Sequence, residues 1–252
     1  MSMTIEALLT PAEYQARRAT GFAGEVCVVF DVLRATSVIV TGLAQGAKGF
    51  IPAEEISGAV ALRAKHPGAL LAGERGGLRI NAKQSGGVEF DLGNSPLEFT
   101  ASRVADKFII CTTTNGTRAL RACETAEALV VSSFLNLSAT ALWLQSRGVE
   151  RVALVCAGTG EAASLEDILC AGALCDLLLK SGQANMLQDS AEVAIRVFQS
   201  AQDDLLGAMR HASNARRLLE NPKLQDDVEF CLRLDAFGMV GLMGRDGIVR
   251  PA

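Results

Sequence analysis

Apolar positions along the chain fall into short unbroken runs separated by amphipathic stretches. Residues 26–30 are five consecutive apolar residues that stop at Asp31, the pattern of a strand covered on both faces. A helix over about 36–45 follows, then a strand near 48–51, a helix near 53–65 and a strand near 69–72. The rhythm resumes with strand 108–112, helix 116–122, strand 128–131, helix 136–147, strand 152–156 and helix 165–180. Thr10-Pro11-Ala12-Glu13 has the form of a capping box with proline at the first helical position and predicts a short helix ahead of the first run. Ser95-Pro96-Leu97-Glu98 has the same form. Residues 188–229 read as helical and amphipathic throughout, and 230–249 as one or two closing strands. Strands alternating with helices predict an α/β fold, three-layer, with a largely parallel sheet flanked by helices.

The chain has 252 residues, the upper edge of one domain. It reads as a single α/β unit over 1–252 with the 188–229 helices packed on the sheet, a length also compatible with two intimate subdomains. Net charge is −4, so no global basic field draws in nucleic acid, and one Trp and one Tyr leave little for base stacking. Seven cysteines form no Cys-x-x-Cys pair, and His66 and His211 lack ligand spacing, which disfavours zinc and disulfides and fits reduced thiols in a cytoplasm. There is no signal-peptide pattern and no apolar run of membrane-spanning length, so no membrane partner is expected. A homo-oligomer is left open.

The strand ends carry the unusual residues. In open α/β sheets ligands bind beyond the carboxyl ends of strands. Four such ends bear Asp31-Val32-Leu33-Arg34, Gly73-Glu74-Arg75-Gly76-Gly77, Thr112-Thr113-Thr114-Asn115-Gly116-Thr117-Arg118 and Ala157-Gly158-Thr159-Gly160-Glu161. Together they would bring carboxylates, arginines, hydroxyls and glycines to one edge of the sheet. Asp31, behind five apolar residues, needs a partner such as Arg34 or a metal; the plainer role is to cap the next helix. The turn from Thr112 to Thr117 could bind an anion or merely cap a helix through Thr114 or Asn115. Residues 73–94 hold six glycines and are too long for an idle connection, so they read as a functional loop. Ser164-Leu165-Glu166-Asp167 has capping-box spacing, which gives Asp167 a structural explanation beside a catalytic one. Cys111 and Cys156 close apolar strands and read as core. No Gly-x-x-x-x-Gly-Lys-Ser/Thr, Gly-x-Ser-x-Gly or Gly-x-Gly-x-x-Gly motif is present. A haloacid-dehalogenase-type phosphatase would need a second Asp where this chain has Leu33.

Asp31-Val32-Leu33-Arg34-Ala35-Thr36, Gly73-Glu74-Arg75, Asp91-Leu92-Gly93-Asn94-Ser95-Pro96, Thr113-Thr114-Asn115-Gly116-Thr117-Arg118-Ala119-Leu120, and Cys156-Ala157-Gly158 with Leu165-Glu166-Asp167 together resemble the 2-phosphosulfolactate phosphatase family, in order from about residue 26 to 235. The resemblance implies an α/β fold and a magnesium-dependent phosphatase. Its substrate is a phosphorylated three-carbon sulfonate on a route toward coenzyme M or free sulfolactate. Residues 83–89 form a longer approach to the Asp-Leu-Gly-Asn-Ser-Pro motif than the family's usual one, and 237–247 match only loosely; both bear on the substrate more than on the reaction.

The residues suit such an ester. Phosphate, carboxylate and sulfonate together bring about three or four negative charges to be offset. Asp31, Arg34 and Glu74 are the candidate catalytic residues. Arg75, Asn94, Ser95, Thr113, Thr114, Asn115, Gly116, Thr117 and Arg118 are the candidates for substrate binding. Mg2+ takes one or two carboxylates with water and phosphate, and Asp31, Glu74, Glu166 and Asp167 are its candidate ligands. The expected activity is a phosphomonoester hydrolase converting 2-phosphosulfolactate to sulfolactate and phosphate. The alternatives are a non-catalytic sensor of a phosphorylated metabolite, or the same hydrolysis on another small phosphorylated acid such as phosphoglycolate or phospholactate.

Overall fold

The computed structural model describes residues 3–182 and 184–252. In chain order the strands are β1 (Met3–Leu8), β2 (Val26–Phe30), β3 (Gly49–Pro52), β4 (Leu70–Arg75), β5 (Leu78–Arg79), β6 (Phe108–Thr112), β7 (Ala128–Ser132), β8 (Arg151–Cys156), β9 (Ala184–Leu187), β10 (Gly241–Met243) and β11 (Val249–Pro251). The helices are α1 (Pro11–Thr20), α2 (Ala35–Ala44), α3 (Ile56–Lys65), α4 (Ala101–Val104), α5 (Gly116–Ala122), α6 (Leu137–Ser146), α7 (Leu165–Lys180), α8 (Asp189–Ala201), α9 (Leu205–Met209), α10 (Ser213–Leu219) and α11 (Gln225–Cys231). The α/β class with a largely parallel sheet and flanking helices is the one the sequence predicts. Three strands go beyond it: β5, inside the segment read as a loop, and β1 and β9. β1 alternates buried Met3, Ile5 and Ala7 with half-buried Thr4 and Glu6, and its helix-forming Glu, Ala and Leu hide that alternation. β9 is a four-residue edge strand without an apolar run.

All strands belong to one sheet in the order β5-β4-β6-β3-β11-β10-β7-β2-β8-β1-β9. β9, β1, β8, β2 and β7 pair in parallel, as do β3, β6 and β4. Between these blocks lie three antiparallel pairings, β7 with β10, β10 with β11 and β11 with β3. An odd number of reversals sets the two blocks in opposite senses. The functional strand ends therefore do not share one edge in a flat sheet, as the sequence suggests. They belong to two opposed edges that bending and twist bring face to face.

The core shows where the bend lies. Val26, Val28 and Phe30 of β2 and Val152, Leu154 and Cys156 of β8 pack in one cluster with α7, α8, α10 and α11. Their neighbours Cys27, Val29, Ala153 and Val155 turn the other way, into a second cluster that also receives Phe50, Ile109 and Cys111 from the second block. The outer face of that block, with Ile51, Leu71 and Ile110, meets Ala59 of α3. Helix α2 lies in the shared middle cluster and buries every residue except Ala44. A helix apolar all round has to be enclosed in this way. Its Ser37 and Thr41 hydroxyls donate to Val32 O and Ser37 O, at 2.8 and 2.7 Å.

Local signals are kept in some places and overruled in others. At α1 the Thr10 N–H donates to Glu13 Oε2 at 2.7 Å, as a capping box requires. Ser95 does not open the expected helix, and only a 3-10 turn, Pro96–Glu98, forms there. Glu98 Oε2 instead accepts the Gly93 N–H, and the Ser95 hydroxyl is drawn away to Asp227. The glycine-rich segment folds as a hairpin. Gly76 and Gly77, with φ of 63° and 83°, turn β4 into β5, a two-residue turn that a side chain would strain. Its return leg is anchored by the Asp91 and Leu92 N–H groups on Leu71 O.

Two helical glycines give opposite expectations. In α7, a Cβ on Gly172 would overlap the Ala194 carbonyl of α8, whereas Gly58 in α3 has nothing within 4 Å. Gly58→Ala should stabilise by up to about 1 kcal/mol. Gly172→Ala gains the same propensity but forces two helices apart, and should destabilise by about 1–2 kcal/mol net. Urea unfolding midpoints of the two variants check both signs.

Candidate active site

Each strand end positions its side chains through backbone donors. The Asp31 carboxylate at the end of β2 accepts the Ala35 N–H at 3.2 Å and a second bond from the Gly116 N–H. Gly116 is needed for that approach, since a Cβ there would lie 2.6 Å from both Asp31 Oδ2 and Ala35 Cβ. The Asp31 N–H donates to Thr36 Oγ1 at 3.0 Å. Glu74, at the end of β4, is held on both oxygens. Oε2 accepts the Gly77 N–H at 2.7 Å, and Oε1 accepts the N–H and hydroxyl of Thr114 at 3.0 and 2.9 Å. The Thr113 to Thr117 turn therefore spends donors on the protein's own acids. Thr113 and Thr117 also bond each other, the Thr117 hydroxyl donating to Thr113 O at 2.9 Å.

Asp167 does not close a capping box on Ser164. Its Oδ1 accepts the Val32 N–H at 2.8 Å and its Oδ2 the Gly158 N–H at 3.1 Å, so one carboxylate ties the ends of β2 and β8 together. Glu166 beside it accepts from Asn214 Nδ2 at 3.1 Å. Arg34 does not pair with Asp31. Its guanidinium is buried, with Nη1 on Asp227 Oδ2 and Nη2 on Gly77 O, both at 2.7 Å. Asp227 in turn accepts the Ser95 hydroxyl at 2.5 Å.

These elements enclose a cavity of about 140 Å3, small beside the sites that take drug-sized ligands. Of the residues singled out from sequence, Asp31, Arg34, Glu74, Asn94, Thr113, Thr114 and Asn115 line it. Ser95, Gly116, Thr117, Glu166 and Asp167 stand behind that wall. Arg75 lies along the ends of β4 and β6, its guanidinium on Glu74 O and Thr112 Oγ1 at 2.7 and 3.1 Å. Arg118 pairs at 3.3 Å with the exposed Glu161, outside the cavity lining. Cys111 and Cys156 are buried core residues, and burial pushes the Cys111 thiol up to about 12.

Sequence reasoning missed the wall contributed by the late helices. Asn214 and Arg217 of α10 line the cavity, and Asp227 of α11 holds Arg34. The signal was there. Asn214 lies on the stripe of Ala212, Ala215 and Leu218, and Asp227 beside Val228 and Cys231, all buried. A polar residue on an apolar stripe needs a partner.

The electrostatics are lopsided. Five carboxylates, on Asp31, Glu74, Glu166, Asp167 and Asp227, face two guanidiniums, on Arg34 and Arg217, a formal excess of three negative charges. Burial, then repulsion from Glu74 and Glu166, lifts the Asp31 carboxyl to about 7. Burial, then Asp31 and Glu166, raises Asp167 well above the carboxylate range, and burial raises Glu166. Among the described residues no three His, Cys, Asp or Glu side chains are already gathered as a ligand set for a metal. The donors are all oxygen and carry uncompensated charge. That fits a hard divalent cation held by one or two carboxylates, with water and phosphate completing its shell.

The comparisons with known proteins agree with this chemistry. The family model for 2-phosphosulpholactate phosphatase matches residues 9–245. A probable 2-phosphosulfolactate phosphatase of Thermotoga petrophila is 44% identical over 213 residues, covering 84% of this chain and 86% of its own. Proteins of the same description from Caldicellulosiruptor saccharolyticus and Deinococcus radiodurans are 38% and 36% identical, over 82% and 86% of this chain and 84% and 86% of theirs. Motifs, fold and these matches lead to one statement: the chain belongs to the 2-phosphosulfolactate phosphatase family.

Proposed function

We propose that this cavity hydrolyses 2-phosphosulfolactate to sulfolactate and phosphate with a bound Mg2+. Water attacks phosphorus, the ester P–O bond breaks, and the departing alkoxide takes a proton to become the hydroxyl of sulfolactate. The observation that carries the reading is the excess of carboxylates, each fixed by hydrogen bonds, lining or backing a small cavity that must admit an anionic ester. A site that bound such an anion with arginines alone would not be built of acids.

Asp31 and Glu74 line the cavity and would hold the cation, with Glu166 and Asp167 behind them. Bound Mg2+ offsets charge on the phosphoryl oxygens and lowers the pKa of attacking water. Asp167, committed on both oxygens to the ends of β2 and β8, fixes the spacing of the edge that carries Asp31. Arg34 is held by Asp227 and Gly77 O, and its remaining N–H groups are free to orient a phosphoryl oxygen. Glu74, restrained by three hydrogen bonds, is placed to accept a proton from water. The reading places the protein in a cytoplasm, supported by seven free, buried cysteines. No helix among the described residues is long and apolar enough to cross a membrane.

Phosphate release from 2-phosphosulfolactate tests the reaction. Activity should disappear with EDTA and return with Mg2+; full turnover in a metal-free preparation would overturn the metal role. Arg34→Lys keeps the charge but cannot serve Asp227 and Gly77 O in the same planar geometry, and kcat/KM should drop at least about 10-fold.

A second expectation concerns stability. The Asp31 carboxyl titrates near 7 when folded and near 3.8 when unfolded, so between these values the native state holds a proton that the unfolded chain has lost. Stability then falls as pH rises through that window, by an amount on the order of a few kcal/mol once pH exceeds 7. The metal-free protein should melt lower at pH 8 than at pH 5. Mg2+ should raise the melting temperature more at pH 8, and Asp31→Asn should lose most of that rise. An undiminished rise in the variant would remove Asp31 from the ligand set.

A further inference from the structure

We propose that Arg217 binds the sulfonate of the substrate and sets the preference for esters carrying it, an inference that rests on the function proposed above. Arg217 lines the cavity from α10, is solvent-exposed, and forms no ion pair among the described residues. The cavity's other guanidinium is buried and neutralised by Asp227. Arg217 is therefore the lining cation whose charge no protein carboxylate takes up at ion-pair distance.

Its placement is built. Asn214 Oδ1 accepts from Arg217 Nη2 at 2.7 Å, while the same amide nitrogen donates to Leu33 O at 2.6 Å and Glu166 Oε1 at 3.1 Å. All three contacts agree on one orientation of the amide, since the nitrogen can only donate and the oxygen only accept. The guanidinium rests against the β4–β5 turn, where a Cβ on Gly77 would lie 3.8 Å from its Cζ and Nη1. One Nη is committed to Asn214, which leaves a planar face and several donors for an anion.

The substrate's geometry selects which anion. Phosphate would go to the inner wall, where Asp31 and Glu74 would hold the cation and Arg34 keeps free N–H groups. The carboxylate is bonded directly to the carbon that bears the phosphate oxygen, whereas the sulfonate is one methylene further out. The group that reaches farthest meets the residue at the exposed rim. A sulfonate is a weakly basic trigonal array of oxygens, suited to the weakly hydrated guanidinium.

Two esters provide the test, 2-phosphosulfolactate and 2-phospholactate, which keeps the carboxylate and replaces the sulfonate with hydrogen. In the wild type the ratio of their kcat/KM values should favour the sulfonate. In Arg217→Gln that ratio should fall at least about 10-fold, mainly through a higher KM for 2-phosphosulfolactate. Comparing esters within one variant cancels any general loss of folded enzyme. A ratio unchanged by the substitution, whether both activities fall together or neither does, would overturn the assignment. So would a wild type that shows no preference for the sulfonate, while leaving the phosphatase reading intact. Release of phosphate from neither ester by the Mg2+-loaded wild type would bring down the proposed function and this inference with it.

Discussion

Like charges held close together in a buried cavity are the constraint around which the site is arranged. Each carboxylate loses hydration, and the losses are met by backbone and amide donors: Ala35 and Gly116 for Asp31, Gly77 and Thr114 for Glu74, Val32 and Gly158 for Asp167. Hydrogen bonds offset only part of this cost, and the Asp31 carboxyl stays raised by burial first and by repulsion from Glu74 and Glu166 second. A fold that tolerates this has given up stability at the point where it needs an affinity for positive charge.

The same donors fasten the architecture. Asp167 spans two strand ends, Glu74 links the β4–β5 hairpin to the turn before α5, and Asn214 joins α10 to the backbone beyond β2. Asp227 brings α11 to Arg34 and Ser95. The same bonds thus form the cavity wall and fasten the strand ends around it, within one half of the sheet for Asp167 and Glu74 and across the two halves for Asp227. Removing one acid would loosen both, which is why a carboxamide, keeping shape and part of the bonding, is the cleaner substitution at such positions.

Much of this was legible in the sequence because strand burial writes itself as continuous apolar runs. β2, β6 and β8 stand out for that reason, and the polar residues that follow each run mark the strand ends. The reversal of sense between the blocks was not legible, because β10 and β11 are three-residue strands whose partners outside their own hairpin, β7 and β3, lie over a hundred residues away. Local patterns also misdirected where a distant partner was stronger. Ser95 and Asp167 sit in capping-box spacing, yet each bonds to a residue brought near only by the fold. Asn214, Arg217 and Asp227 belong to a stretch whose helical periodicity was clear while its face toward the sheet was not. Periodicity says which side of a helix is buried, not against what.

The β10–β11 hairpin has a consequence for how the molecule forms. It joins β7 to β3, pairing Val131 with Gly241 and Phe50 with Val249. Only the β3–β6–β4 block assembles from segments near in sequence; the first block already pairs Thr4 with Arg151 and Met3 with Ala184, spans as large as those of the bridge. Such contacts are entropically late, because the chain must be brought together before they repay the cost. The cavity, lined by residues from Asp31 to Arg217, is therefore complete only when these distant segments have paired, and catalysis becomes a report on completed folding rather than on the presence of either half.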